Sequence, residues 1–175
     1  EARAIVYRAS DQHIATLDEA LALCSSLNLW VMLDIKTFDN PPNSEQFFQR
    51  ISDLLQVHNL TRTTVTISGH HLTQKHLVGK VLFRVTNEEF KKVQDGASVP
   101  LNHKFWFGLP EALPSEMVSK LQQNGALVMP AINTFRYPAH ADRELAHQDI
   151  ERLLNAGVDG FQIDSIYEDL FAKKK

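Results

Sequence analysis

What most narrows the fold of this chain is an alternation. Apolar runs too short for a helix recur between longer segments whose apolar residues fall three and four positions apart. The runs are LWVMLDI, TTVTIS, KVLFRV, KFWFGL, ALVMPAI and FQID, six in all. Their length and their content of Val, Ile, Phe and Thr predict strands, and strands interleaved with helices predict βα units around a parallel sheet. The helical segments carry their own punctuation. TLDEALALCSSL has Thr16 as a cap with Glu19 reaching back, and places Leu17, Ala20, Leu21 and Cys24 on one face. SEQFFQRISDLLQVH starts at Ser44 as a cap and buries a stripe of Phe47, Phe48, Ile51, Leu54 and Leu55. GHHLTQKHLVG reads as a short helix, and Thr86 with Glu89 forms a second capping box before NEEFKKVQDG. SEMVSKLQQNG stops at Gly125, DRELAHQDIERLLNAG stops at Gly157, and SIYEDLFAKKK closes as a last helix with a solvated AKKK end.

Eight such units would close a (β/α)8 barrel, which usually takes roughly 250 residues. With six strands in 175 residues, the chain is predicted to be an α/β fold of TIM-barrel type that is N-terminally incomplete, about six of the eight parallel strands being present. No linker or low-complexity tract divides it, so residues 1–175 are expected to form a single, partial domain. A content of 43% hydrophobic and 22% charged residues sustains a real core. The net charge of -3 leaves no broad basic field for nucleic acid or an anionic membrane surface. No uninterrupted apolar run reaches the length of about 18 residues that a membrane span needs. Cys24 is the only cysteine, which rules out an intrachain disulfide and a cysteine metal cage. It fits a reducing compartment and slightly favours a cytoplasmic location, without excluding secretion.

In a barrel the active site is built from the carboxyl ends of the strands. Asp34 and Lys36 stand at such an end, and strand alternation points Met32, Asp34 and Lys36 one way while Leu33 and Ile35 face the covering helices. A carboxylate suits a hard divalent cation and a neighbouring lysine suits a phosphate oxygen; a salt bridge at the rim is the plain structural alternative. Among the other polar residues near strand ends, Arg84 is placed either to meet a phosphate or to be paired inside the barrel. Asp164, at the end of the last strand, is placed either as a site carboxylate or as a structural cap on the turn that follows it. Of Phe105, Trp106 and Phe107, at most one ring is expected to face the site. His70 and His71, adjacent on a loop at the catalytic face, are the best-placed histidines for acid–base work, but they should point in divergent directions, and the plainer reading is two ordinary loop residues. His140 and His147, seven apart, would share a solvated helix face, and His13, His58, His76 and His103 are given no role.

Three blocks in register give the chain a resemblance to the glycerophosphodiester phosphodiesterases. LDIK, Leu33 to Lys36, looks like an aspartate variant of that family's apolar-Glu-Ile-Lys at the end of the third barrel strand. GVDGFQID, Gly157 to Asp164, is similar to its closing strand, and TLDEALALC is similar to the helix before strand three, with Ala15 where proline is usual. The resemblance implies metal-dependent hydrolysis of a small-molecule glycerophosphodiester to sn-glycerol 3-phosphate and an alcohol. It implies Asp34 as a carboxylate ligand to Mg²⁺ or Ca²⁺, Lys36 as a phosphate contact, and Asn133 as a substrate-binding residue, although Pro130 and Ala131 replace the family's Trp-Thr ahead of it.

The family's two catalytic histidines and its Glu-x-Asp block have no counterpart in the 175 residues. No residue here is therefore assigned as catalytic acid or base, and the chain alone is expected to be a poor hydrolase or none. Two alternatives stay open. One is a non-catalytic binding or interaction module, in which an oligomer covers the open barrel edge. The other is a different phosphate-handling barrel, an isomerase or lyase, with Asp34 and Lys36 serving proton transfer or a Schiff base.

Overall fold

The computed structural model describes residues 12–36 and 44–171. The AKKK end lies outside the described residues. Every predicted strand is present. In chain order they are β1 (Val31–Leu33), β2 (Thr64–Thr66), β3 (Leu82–Arg84), β4 (Lys104–Trp106), β5 (Leu127–Val128), β6 (Ala131–Ile132) and β7 (Gln162–Ile163). The helices are α1 (Leu17–Ser26), α2 (Ser44–Val57), α3 (His71–Leu77), α4 (Asn87–Gln94), α5 (Ser115–Gln123) and α6 (Asp142–Ala156), and Ser165–Phe171 closes as a 3₁₀ helix. The order β1-β2-β3-β4-β5 forms one five-stranded parallel sheet and β6-β7 a parallel pair; among the described residues the strands do not close a barrel. The chain divides within β3 into two compact units, residues 1–83 and 84–175.

In the N-terminal unit, β1 pairs with β2 from Val31 opposite Thr64 to Leu33 opposite Thr66, and β2 pairs with β3 at Val65 opposite Leu82. The core is the face that α1, α2 and α3 cover: Leu21, Leu33, Phe48, Ile51, Leu55 and Leu77 are all buried, with Val31 and Ile35 packed against them. Each fully buried apolar side chain contributes roughly 1.5–3 kcal/mol. Two predicted stripes are narrower than the spacing suggested. On α1 only Leu21 is buried and Leu17 is exposed, and on α2 Phe47 is exposed at 49%. Phe47 sits beside the buried Phe48, which takes the inward position, and meets it edge-on with ring centroids 5.3 Å apart. α2 is described from Ser44 onward.

In the C-terminal unit, β4 pairs with β5 at Phe105 opposite Leu127, and β6 with β7 at Ala131 opposite Gln162. The core gathers Leu101, Trp106, Met117, Leu121, Val128 and Ile150 between these strands and α4, α5 and α6. The run ALVMPAI, predicted as one strand, is split into β5 and β6, and Pro130 is the cause. The N–H groups of Met129 and Ala131 still donate to the carbonyls of Trp106 and Gly108, while the carbonyls of Pro130 and Ile132 accept from Gln162 and Asp164. The run thus bridges β4 on one side and β7 on the other, and proline lacks the one donor that would continue the ladder toward β7. α6 starts at Asp142, so His140 precedes the helix and shares no face with His147; Pro138 and the turn it opens hold His140 outside.

Candidate functional site

At the end of β1 the alternation holds. Leu33 and Ile35 pack into the helix-covered core, and Asp34 and Lys36 project from the opposite face. Their side chains meet, Lys36 Nζ lying 2.8 Å from Asp34 Oδ2, with Lys36 76% and Asp34 46% exposed. The geometry is that of a rim salt bridge, which solvent screening limits to about 0–1 kcal/mol. Next to it, the carboxyl end of β2 is built from hydroxyls. Thr66 donates to the Leu33 carbonyl at 3.3 Å, and Ser68 and Thr73 share a 3.0 Å hydrogen bond.

A hard divalent cation takes six or more oxygen ligands. Among the described residues no group of three or more His, Cys, Asp and Glu is arranged to hold a metal ion, and Asp34 is engaged by a lysine. The described residues do not by themselves fit the cation that the resemblance implies.

His70 and His71 do not diverge. His70 caps α3, its Nδ1 accepting from the Leu72 N–H at 3.2 Å, and its ring is sandwiched between Phe48 at 5.1 Å and His71 at 4.6 Å. The demand for a cap ahead of α3 and the apolar face of Phe48 set both ring planes. Two histidines read without a role are paired: His58 Nε2 lies 2.7 Å from Asp18, and His76 Nε2 lies 2.6 Å from Glu45.

The C-terminal unit carries a cavity of about 430 Å³ at the carboxyl ends of its strands. Its lining includes Arg84, which ends β3, Trp106, which ends β4, and Asn133, which follows β6. Asn87, Phe90, Phe107, Phe135 and Arg136 add to its polar and aromatic wall. Asn133 is oriented by its neighbours: its Nδ2 donates to Gln162 Oε1 at 3.1 Å and to Asp164 Oδ1 at 3.3 Å. A carboxylate is acceptor-only, so the amide nitrogen must face Asp164 and the amide oxygen is left as a spare acceptor. Asp164 in turn accepts from the Thr134 N–H at 2.8 Å and the Thr134 hydroxyl at 3.0 Å. The Thr134 N–H, chiefly, then the Thr134 hydroxyl and the Asn133 amide hold the Asp164 carboxyl below its usual range, against a weaker upward push from burial. Its side chain therefore fastens the 3₁₀ turn Thr134–Arg136 after β6, and not the turn that follows it in sequence.

Arg84 is not paired inside a barrel. Among the described residues neither Arg84 nor Arg136 forms an ion pair, and each guanidinium lies over an aromatic ring, Arg84 at 5.9 Å from Phe107 and Arg136 at 5.1 Å from Phe135. Two of the three rings of the FWF run, Trp106 and Phe107, line the cavity, where at most one was expected. Gly108 makes this possible, because a Cβ there would fall 2.9 Å from the Trp106 ring. The wall residues missed in sequence, Phe135 and Arg136, had one signal available: they lie in the loop directly past a strand's carboxyl end.

These features define an α/β protein with a parallel sheet of TIM-barrel type and polar groups gathered at the carboxyl ends of its strands. In fold the chain is similar to solved glycerophosphodiester phosphodiesterases. One, from Agrobacterium tumefaciens str. C58, has a TM-score of 0.58 at 16% identity over 92% of this chain and 62% of its own. Another, a protein assigned as a glycerophosphoryl diester phosphodiesterase from Silicibacter pomeroyi DSS-3, has a TM-score of 0.57 at 15% identity over 87% of this chain and 54% of its own. The chain thus spans between about half and three-fifths of the length of these structures. No protein-family model and no curated protein matches the sequence. Among the described residues no helix is long and apolar enough to cross a membrane.

Proposed function

We propose that the chain is the phosphate-handling part of a phosphodiester hydrolase that acts on glycerophosphodiesters, yielding sn-glycerol 3-phosphate and an alcohol. The observation that supports this reading best is the placement of Lys36 directly past the carboxyl end of β1, in a fold whose solved neighbours include glycerophosphodiester phosphodiesterases. Its ammonium is exposed and, among the described residues, is held only by the exposed Asp34, so a phosphate oxygen can take over the lysine at little cost. Asp34 then becomes available as a carboxylate. A general acid and base typically contribute about 10²- to 10⁴-fold. The reading assigns neither role within these 175 residues, so hydrolysis by them alone is expected to be slow.

The test is binding and turnover together. Glycerophosphodiesters of different alcohols are titrated onto the chain, and release of sn-glycerol 3-phosphate is followed with added Mg²⁺ or Ca²⁺. Saturable binding that Lys36→Ala weakens about tenfold supports the reading, this being what one charge-assisted hydrogen bond is typically worth. Undiminished binding by the variant removes Lys36 from the phosphate contact, and failure to bind any glycerophosphodiester overturns the function.

A further inference from the structure

We infer that the cavity of the C-terminal unit binds a phosphate monoester carried on a flat, apolar or aromatic group. This site is distinct in its residues from the Asp34 and Lys36 pair, and it does not rest on the phosphodiesterase reading.

Arg84 and Arg136 both line the cavity, and among the described residues neither has a carboxylate partner or a side-chain hydrogen bond. The arginines of this unit that serve the fold are engaged: Arg143 donates from one terminal nitrogen to both Asp169 oxygens at 2.7 and 2.9 Å and from the other to the Ile166 carbonyl, and Arg152 donates to the carbonyls of Leu113 and Pro110 and to Asp149. Among the described residues none that lines the cavity is Asp or Glu, so no described wall residue neutralises the two guanidiniums. A guanidinium presents a planar fork of donors that matches a phosphate's oxygens, and two forks suit a dianion.

Size and lining then argue for more than a bare ion. A cavity of about 430 Å³ falls within the range of sites that hold small organic ligands, and it is far larger than one phosphate group needs. Four of its wall residues, Phe90, Trp106, Phe107 and Phe135, offer aromatic surface. Each guanidinium already lies over one of these rings and keeps N–H donors available to a ligand. Asn133 adds an amide oxygen with no donor, a place for a hydroxyl or N–H on the ligand body. The location agrees with the general rule for parallel α/β folds, whose ligands sit past the carboxyl ends of the strands.

The experiment is calorimetric titration of the 175-residue chain with phenyl phosphate, inorganic phosphate, phenol and benzoate. Phenyl phosphate is expected to bind more tightly than the other three. Arg84→Gln and Arg136→Gln are each expected to raise its Kd about tenfold or more. Both side chains are exposed and unpaired, so the variants should keep the circular dichroism and Tm of the parent. Lys120→Gln, which removes a positive charge on α5 outside the cavity, should change the Kd by less than about twofold, a shift within surface-charge effects.

No saturable binding of phenyl phosphate overturns the inference. So does binding that both arginine variants leave intact, or that Lys120→Gln weakens as much as they do. Equal affinity for inorganic phosphate overturns the flat body, and equal affinity for benzoate overturns the phosphate. Binding is the readout throughout, so a chain that hydrolyses no diester leaves the inference standing or falling on its own.

Discussion

At the scale of single residues, the polar groups of this chain divide into those the fold uses and those it leaves free. Asp164 shows the first kind. Sequence alone placed it at a strand end, where a structural and a functional carboxylate look the same; only the hydrogen bonds from Thr134 and Asn133 separate them. Asp164→Ala should destabilise the chain by about 1 kcal/mol, the usual scale for a lost capping acceptor, as measured by urea denaturation at pH 7. The pH dependence has a definite sign. A carboxyl whose folded pKa is depressed stabilises above its unfolded value of about 3.9 and loses that contribution as pH falls through the folded value. The difference between parent and variant should therefore shrink below about pH 4, and a difference constant down to pH 2 would contradict the assignment. Arg84 and Arg136 show the second kind. Arg84 was legible as a phosphate candidate because it ends a strand. Arg136 was not, because the turn that brings it to the cavity is set by Asp164, 28 residues further along the chain.

At the scale of elements, the helix starts were more legible than the stops. Both capping boxes form as the Thr-x-x-Glu spacing predicts, with Thr16 and Glu19 on α1 and Thr86 and Glu89 on α4. The second does more than start a helix: Glu89 also receives Lys104 of β4 at 2.5 Å, which ties α4 to the strand behind it. Burial pushes the Glu89 carboxyl up, but the hydrogen bonds from Lys104 and from the Thr86 N–H and hydroxyl outweigh it and leave the group below its usual range. Its contribution is present above the unfolded glutamate pKa near 4.3 and fades as pH falls through the folded value. Glu89→Gln should lower stability at pH 7 by about 1–2 kcal/mol and flatten the acid limb of the stability profile, with urea midpoints from pH 7 to 3 as the check.

The helix stops follow one rule that the sequence showed only in part. After α1 and α2 the left-handed residue is Asn28 or Asn59; after α3 to α6 it is Gly79, Gly96, Gly125 or Gly157. Five of these ends close with the paired hydrogen bonds of a Schellman motif, for example Leu60 N–H to the Leu55 carbonyl and Asn59 N–H to the Gln56 carbonyl. Gly125 and Gly157 were readable because glycine is the strong signal; the asparagines hide because asparagine serves many turns equally well. At Gly125 a side chain is doubly unwelcome, since φ is +95° and a Cβ would run into the Asn102 side chain. Gly125→Ala should cost about 1–3 kcal/mol, whereas Asn59→Gly should be neutral or mildly stabilising, both read as shifts in the urea midpoint.

At the scale of the whole molecule, the alternation of short apolar runs and helical segments was enough to place all the strands in order, because burial on both faces of a parallel sheet leaves a mark in each run. The number of units into which the strands gather leaves no such mark, since no linker is needed when the division falls inside β3. Whether residues 1–175 behave as one cooperative domain is therefore a matter for measurement. Each unit encloses its own apolar cluster, one around Leu55 and one around Ile150, both side chains fully buried. Removing either to alanine should cost about 2–5 kcal/mol through lost burial and the cavity left behind. Native-state hydrogen exchange reads the consequence locally, because an amide in a cooperative unit reports the opening of that unit. If the clusters define separate folding units, Leu55→Ala should accelerate exchange in α2 and β2 by about 30-fold or more while leaving β4 and α6 near parent rates, and Ile150→Ala should do the reverse. Equal acceleration at both places by either variant would mean that the five-stranded sheet unfolds as a single domain, with β3 acting as its middle strand rather than as a boundary.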